Sequence, residues 1–262
     1  MTATHPVFCR AIVRPPASNF AEGLTTQDLG LPSYETALQQ HAAYCQALRR
    51  CGLEVIELPA DPDYPDSTFV EDTAILTPRG AILARPGAPS RQGEVEAIRP
   101  VLVEYFKRLA EISDPGTVDG GDICEADGHF FIGLSARTNL EGGRQLAAIL
   151  QQAGYSSEFV DVTNIPGILH LKSGMAYLGD DVLVLMDAMA DIDIFRSYQI
   201  IRVDEREQYA ANCIRVNDFV VIADGFAAFE ESLCRAGFRP LRCPMSEFQK
   251  MDGGLSCLSL RF

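Results

Sequence analysis

Apolar positions along the chain fall into a unit that repeats. Three times an amphipathic stretch closes on a glycine and a short run of strand-forming residues follows. These are Tyr44 to Gly52 with Leu53 to Leu58, Ala147 to Gly154 with Ser157 to Val162, and Glu231 to Gly237 with Phe238 to Cys243. Glycine just past a helix takes the left-handed backbone that caps it, and the residues after it return the chain to a sheet. Paired apolar runs flank the turn residues Ala126-Asp127-Gly128, Gly179-Asp180-Asp181 and Asn217-Asp218. This pattern predicts hairpins over Ile123 to Ile132, Met175 to Leu185 and Ile214 to Ile222. A further helix is predicted over Glu94 to Ala110, where Val95, Ile98, Leu102, Tyr105, Phe106 and Leu109 share one face despite Pro100.

Strand, hairpin and helix recurring about every 40–60 residues predict a radial array rather than two separate bodies. No Pro-, Gly- or Ser-rich linker divides the chain, so a single α/β domain over residues 1–262 is expected. The run after Cys257 has no helix of its own. The N-terminal segment, His5 to Val13 and then Ser33 to Cys51, is expected to complete that unit and bring both ends of the chain together.

Composition narrows the function classes. The 262 residues are 47% hydrophobic and 22% charged, which suits a globular core and excludes wholesale disorder. No apolar run reaches the length of about 18 residues that a membrane helix needs. Met1 to Arg10 lacks the basic-then-apolar order of a secretory signal, so a cytoplasmic protein is expected. A formal charge of −14 argues against nucleic acid and anionic membrane as partners. The eight cysteines form no C-x-x-C pair and no zinc spacing with the four histidines, so most are expected reduced and buried, with no metal site.

Four segments carry candidate chemistry. In Asp252-Gly-Gly-Leu-Ser-Cys257 a thiol follows a Gly-Gly turn. Such a thiol is either a nucleophile or a buried structural cysteine. In Asp66-Ser-Thr-Phe-Val-Glu71-Asp72 two adjacent carboxylates enter an apolar run, which is costly unless each finds a cation or donors. Pro115-Gly-Thr-Val-Asp119-Gly-Gly-Asp122 presents acids at a second Gly-Gly turn, and Ile168-Leu-His170-Leu-Lys-Ser-Gly174 sets a histidine among apolar residues. Each alone has a bland reading as a solvated acid or a hydrogen-bonded core histidine. At equivalent places in a radial array, Asp72, Asp119, His170 and Cys257 would converge on the axis.

Five ordered motifs, Phe69-Val-Glu-Asp72, Gly116 to Asp122, Gly133-Leu-Ser-Ala-Arg-Thr-Asn139, Leu169 to Gly174 and Asp252 to Cys257, span essentially the whole chain. Together they resemble the dimethylarginine dimethylaminohydrolases, which belong to the guanidino-modifying enzymes of the pentein fold. The resemblance implies a five-bladed pseudo-symmetric α/β propeller with a central site. It implies that Cys257 is the nucleophile, that His170 is the general acid/base, and that Asp72 and Asp119 hold the substrate guanidinium. Arg91 and Arg137 would bind the substrate α-carboxylate, and Asp66 the α-amino group with carbonyls of Leu24 and Met251. Glu71 would line the pocket, and Glu22 to Thr26 would match a mobile loop over it. Some members of the family carry glutamate at the position of Asp119, whose shorter side chain sets the carboxylate about one methylene back.

The implied reaction is hydrolysis of asymmetric dimethylarginine or monomethylarginine to citrulline and dimethylamine or methylamine, through a thiouronium on Cys257 and without a cofactor. The residue types suit that chemistry. Carboxylates grip a planar cation, a thiolate attacks its central carbon, and an imidazole supplies and removes protons. A guanidine deiminase such as an arginine deiminase shares this centre, but those chains are usually longer. A non-catalytic pentein-fold binding protein, such as a ribosome anti-association factor, would need no Cys–His–acid set. His5, His41 and His129 are expected in surface or structural roles, and Cys124 and Cys213 in the core. No residue pattern selects an assembly, a homodimer being the commonest symmetric one.

Overall fold

The computed structural model describes residues 7–262, and His5 lies outside them. Its strands form five separate three-stranded sheets, each mixed. Each central strand pairs antiparallel on one side and parallel on the other. In the second sheet Ala74–Thr77 pairs antiparallel with Gly80–Leu83, which pairs parallel with Leu109–Glu111. The third joins Ile123–Ala126, His129–Leu134 and Ser156–Asp161 in the same way. The fourth joins Met175–Tyr177, Val182–Met186 and Gln199–Val203, and the fifth joins Ile214–Val216, Phe219–Ala223 and Pro240–Cys243.

The first sheet is closed by the two ends of the chain. Arg10–Val13 pairs antiparallel with Leu260–Arg261 and parallel with Glu54–Glu57, as the incomplete final unit predicted. The three expected hairpins form where turn chemistry placed them. Asp127, Gly128, Gly179, Asp180, Asp181 and Asn217 all take positive φ, the backbone that tight hairpins need. Central strands are almost wholly buried, as in Val182–Met186 with its one half-buried and four buried residues. Each fully buried Val, Leu or Ile adds about 1.5–3 kcal/mol of transfer free energy.

Parallel pairing requires a crossover, and helices supply it in four units: Tyr34–Arg50, Glu94–Tyr105, Leu140–Gln152 and Ala227–Arg235. The three glycine-capped helices end as predicted, with Gly52, Gly154 and Gly237 at φ +93°, +81° and +88°. The helix expected to reach Ala110 stops instead at Tyr105. Phe106 is extended, and Leu109 and Ala110 are drawn into the parallel strand beside Gly80–Leu83. Pairing with a buried strand overrides the helical spacing of those apolar residues. The fourth unit lacks an α-helix, and two single 3₁₀ turns, Asp187–Met189 and Asp193–Phe195, make its crossover. No helix among the described residues is long and apolar enough to cross a membrane.

A second repeat positions the chemistry. Every sheet is entered through a 3₁₀ turn: Val70–Thr73, Gly120–Asp122, Leu171–Ser173, Glu205–Ala211 and Ser256–Leu258. Cys257 therefore sits on a turn, and the strand after it begins at Leu260. The five turns touch in series: that of Cys257 meets that of Asp72, Asp72 that of Asp122, Asp122 that of Leu171, and Leu171 that of Glu205–Ala211.

Candidate active site

The turns bring Cys257, His170 and Asp72 to one pocket, together with Asp66, Arg91 and Arg137. Leu24 and Met251 line it too. Eight of the ten residues singled out from the sequence thus face a single space. The other two, Asp119 and Glu71, do not line it.

Asp119 stands behind the imidazole. Its Oδ2 lies 3.0 Å from His170 Nε2, and its Oδ1 accepts the Gly87 N–H at 2.7 Å. The side chain is completely buried. An aspartate held at both oxygens, and one methylene shorter than glutamate, orients the histidine rather than reaching into the pocket. Glu71 faces a different, larger cavity, which Lys172 and Ser256 also line. Lys172 Nζ donates to it at 2.6 Å and Ser256 Oγ at 2.7 Å, while the Arg261 guanidinium lies at 3.9 Å. The costly pair of adjacent carboxylates is thus resolved by sending each to its own cation.

Asp72 is the other member of that pair. Arg91 Nη1 donates to it at 2.7 Å and the Gly121 N–H at 2.8 Å. Burial favours its neutral form, but His170 and Arg91 outweigh that and hold its carboxyl below the usual range. Arg91 is more constrained than a ligand-binding arginine need be. Glu94 accepts from Nε and Nη2, and the Phe69 carbonyl also accepts from Nη2. Of five guanidinium hydrogens, one on Nη1 remains for a ligand. Arg137 is different: its Nη1 is buried without a hydrogen-bond partner and lies 3.8 Å from Asp119.

The loop over the pocket is tied down from three sides. Leu24 N–H donates to both oxygens of Asp66 at 3.1 Å. Thr25 Oγ1 donates to the Lys250 carbonyl at 2.8 Å, and Thr26 N–H to Asp252 Oδ2 at 2.5 Å. Asp252 takes φ +57° at the start of the Gly-Gly turn. Gly253 packs against the Phe69 ring, where an added Cβ would lie 2.3 Å from a ring carbon, so no larger residue fits.

Electrostatics set the resting protonation. Burial alone would lower the His170 pKa, but Asp72, Asp122 and Asp119 raise it to about 9. Burial, followed by the charges of Glu71 and Asp72, pushes the Cys257 thiol up to about 12. At neutral pH the site therefore holds an imidazolium and a neutral thiol. Asp72, Asp119 and His170 also bring three potential metal-ligand atoms within 4.8 Å of one another, although the first two are already committed to Arg91 and His170.

Supporting residues escaped the sequence reading. Glu94 fixes Arg91. Buried Asp122 accepts the Leu171 N–H at 2.9 Å and Ser135 Oγ at 2.7 Å, so it anchors the histidine turn. Asp122 stood in a quoted motif, whereas nothing marked Glu94 out from a helix-surface acid. His41 is buried beside Cys45 with its pKa lowered to about 4 by burial, and His129 contacts Ser156 at 2.8 Å. Cys124 and Cys213 are buried in the core.

A family model described as arginine deiminase matches residues 61–218. An N(G),N(G)-dimethylarginine dimethylaminohydrolase of Pseudomonas aeruginosa is 44% identical over 98% of this chain and 100% of its own length. The chain belongs to the dimethylarginine dimethylaminohydrolase family. The solved structure of a cysteine-to-serine variant of the Pseudomonas aeruginosa enzyme with citrulline superimposes with a TM-score of 0.95, at 43% identity, over 98% of this chain and 100% of that one. A histidine-to-glycine family structure, an adduct with S-methyl-L-thiocitrulline, matches equally at 0.95, with 43% identity and the same coverage.

Proposed function

We propose that the protein hydrolyses asymmetric dimethylarginine and monomethylarginine to citrulline, releasing dimethylamine or methylamine. The observation that carries this is the meeting of Cys257, His170 and Asp72 at one pocket beside the unpartnered Arg137 Nη1. Family membership supplies the substrate class.

In this reading the substrate guanidinium lies against Asp72, and its cationic charge offsets the carboxylates that disfavour the Cys257 thiolate. The thiol gives up its proton to solvent on substrate binding, and the sulfur attacks the central guanidinium carbon. His170, an imidazolium at rest, protonates the departing amine as the C–N bond breaks. The remaining S–C bond is a thiouronium. The neutral imidazole then takes a proton from water, which adds to the same carbon, and collapse breaks the S–C bond to give citrulline and the thiol. Asp119 keeps the ring oriented through both proton transfers. Proton transfer of this kind is typically worth about 10²–10⁴ in rate.

The Arg137 donor and the remaining Arg91 hydrogen suit the substrate α-carboxylate, and Asp66 suits its α-amino group, with carbonyls of Leu24 and Met251. Five sheets, each entered through a turn and four of them supplying pocket chemistry, support a single five-bladed propeller domain over residues 1–262. All eight cysteines are unpaired, which supports a reducing, cytoplasmic setting.

The test is citrulline formation from asymmetric dimethylarginine and, separately, from arginine, in wild type and Cys257→Ser. Turnover of the methylated substrate, lost in the variant, is expected. Turnover of arginine alone would move the protein to the deiminases.

A further inference from the structure

The fifth sheet is the one whose entry turn delivers none of the expected catalytic residues. Its turn, Glu205–Ala211, ends at Asn212, just before the strand Ile214–Val216. Asn212 is buried at 6% exposure. Its Oδ1 accepts the Ser256 N–H at 2.9 Å, and its Nδ2 donates to the Lys172 carbonyl at 2.8 Å and to Ser256 Oγ at 3.1 Å. One amide thereby ties the turn of the thiol to the turn of the histidine. Gly254 lies flat on that amide, and a Cβ there would come within 2.4 Å of the amide carbon. From this seat the Gly254 N–H points at Cys257 Sγ, 3.4 Å away.

We propose that Asn212 is a positioning residue for the nucleophile. It holds the Cys257 turn in register with His170 and keeps the Gly254 N–H on the sulfur, where it stabilises the thiolate. A backbone donor aimed at the developing anion matters most where burial and two carboxylates oppose ionisation. This rests on Cys257 being the nucleophile.

Asn212→Asp and Asn212→Ser in the full chain test it. Aspartate keeps the shape and the acceptor for Ser256 N–H, but it removes both donated bonds and turns a carboxylate toward the Lys172 carbonyl. Serine removes the ties without adding charge. The expected result is a kcat loss of about 10²-fold for Asn212→Asp, the scale of a misplaced reacting group, with KM within about threefold. Alkylation of Cys257 by iodoacetamide without substrate, followed by mass spectrometry, should slow by about tenfold at fixed pH, as for a thiol pKa raised by about one unit. Asn212→Ser should lose kcat by a smaller factor.

A folded Asn212→Asp protein with kcat and alkylation rate both within twofold of wild type would overturn the proposal. So would a lower melting temperature with unchanged kcat per titrated thiol, which marks a structural role only. If Asn212→Asp fails to fold, Asn212→Ser decides by the same two readouts. Retained turnover in Cys257→Ser, run alongside, would instead locate the failure in the nucleophile assignment.

Discussion

His170 Nε2 lies 3.0 Å from Asp119 Oδ2, and the carboxylate sits behind the ring, outside the pocket. Asp119 thus holds the ring from behind the pocket, while Asp72, Asp122 and Asp119 together keep it charged. Asp119→Asn should keep the ring near its place and remove its charged partner. The expected outcome is a kcat loss of about 10²–10⁴-fold, the usual worth of a positioned acid–base group, with KM changed little. A rise in KM at constant kcat would show that Asp119 binds substrate instead.

The pH dependence follows from the proton count. The resting pair carries a proton on each partner, and attack requires thiolate with imidazolium, one proton fewer. The first proton to leave the free protein does so at about pH 9, on His170, because Cys257 holds its own to about 12. Plots of log kcat/KM for asymmetric dimethylarginine should therefore climb by about one unit per pH unit toward pH 9 and level above it. A profile flat from pH 6 to 9 would contradict the protonation assigned to the site.

The same shift has a stability counterpart. The folded-state pKa of His170 is raised above its unfolded value of about 6.5, so protonation stabilises the fold. That contribution is fully present below about pH 6.5 and is lost as the pH rises through about 9. Urea midpoints should fall across this window in wild type and fall less in His170→Asn. Equal slopes in the two proteins would remove His170 as the cause.

The two arginines at the pocket should behave differently. Arg137→Ala deletes an unpaired donor, so KM should rise by about tenfold or more while the melting temperature holds, a loss of about 1.4 kcal/mol or above in binding. Arg91→Ala leaves Asp72 and Glu94 buried without their cation, and breaking such a pair costs about 3–5 kcal/mol. Thermal unfolding of the two variants separates the roles, and a stable Arg91→Ala protein would show that its network is dispensable.

Much of this was legible in the sequence for physical reasons. Gly52, Gly154 and Gly237 had to cap helices, and Asp127-Gly128 and Asn217-Asp218 had to turn hairpins, because few other residues tolerate that backbone. Leu109 and Ala110 misled because their helical spacing is overruled by a parallel partner distant in sequence. The crossover at Asp187 to Phe195 was invisible as a helix because it is not one. Within the site, residue types announced Cys257, His170 and Asp72. The division of Glu71 from Asp72, and the place of Asp119 behind the ring, depended on which cation or donor each acid met across the sheets. Periodicity carries no record of that.

The central claim is that Cys257 forms a covalent bond to the guanidinium carbon. Acid quenching during turnover of asymmetric dimethylarginine, followed by peptide mass spectrometry, tests it most directly. The account predicts a thiouronium adduct on the Cys257 peptide of the wild type, absent from Cys257→Ser. Turnover with no adduct on Cys257, or citrulline formation by Cys257→Ser at the wild-type rate, would contradict it.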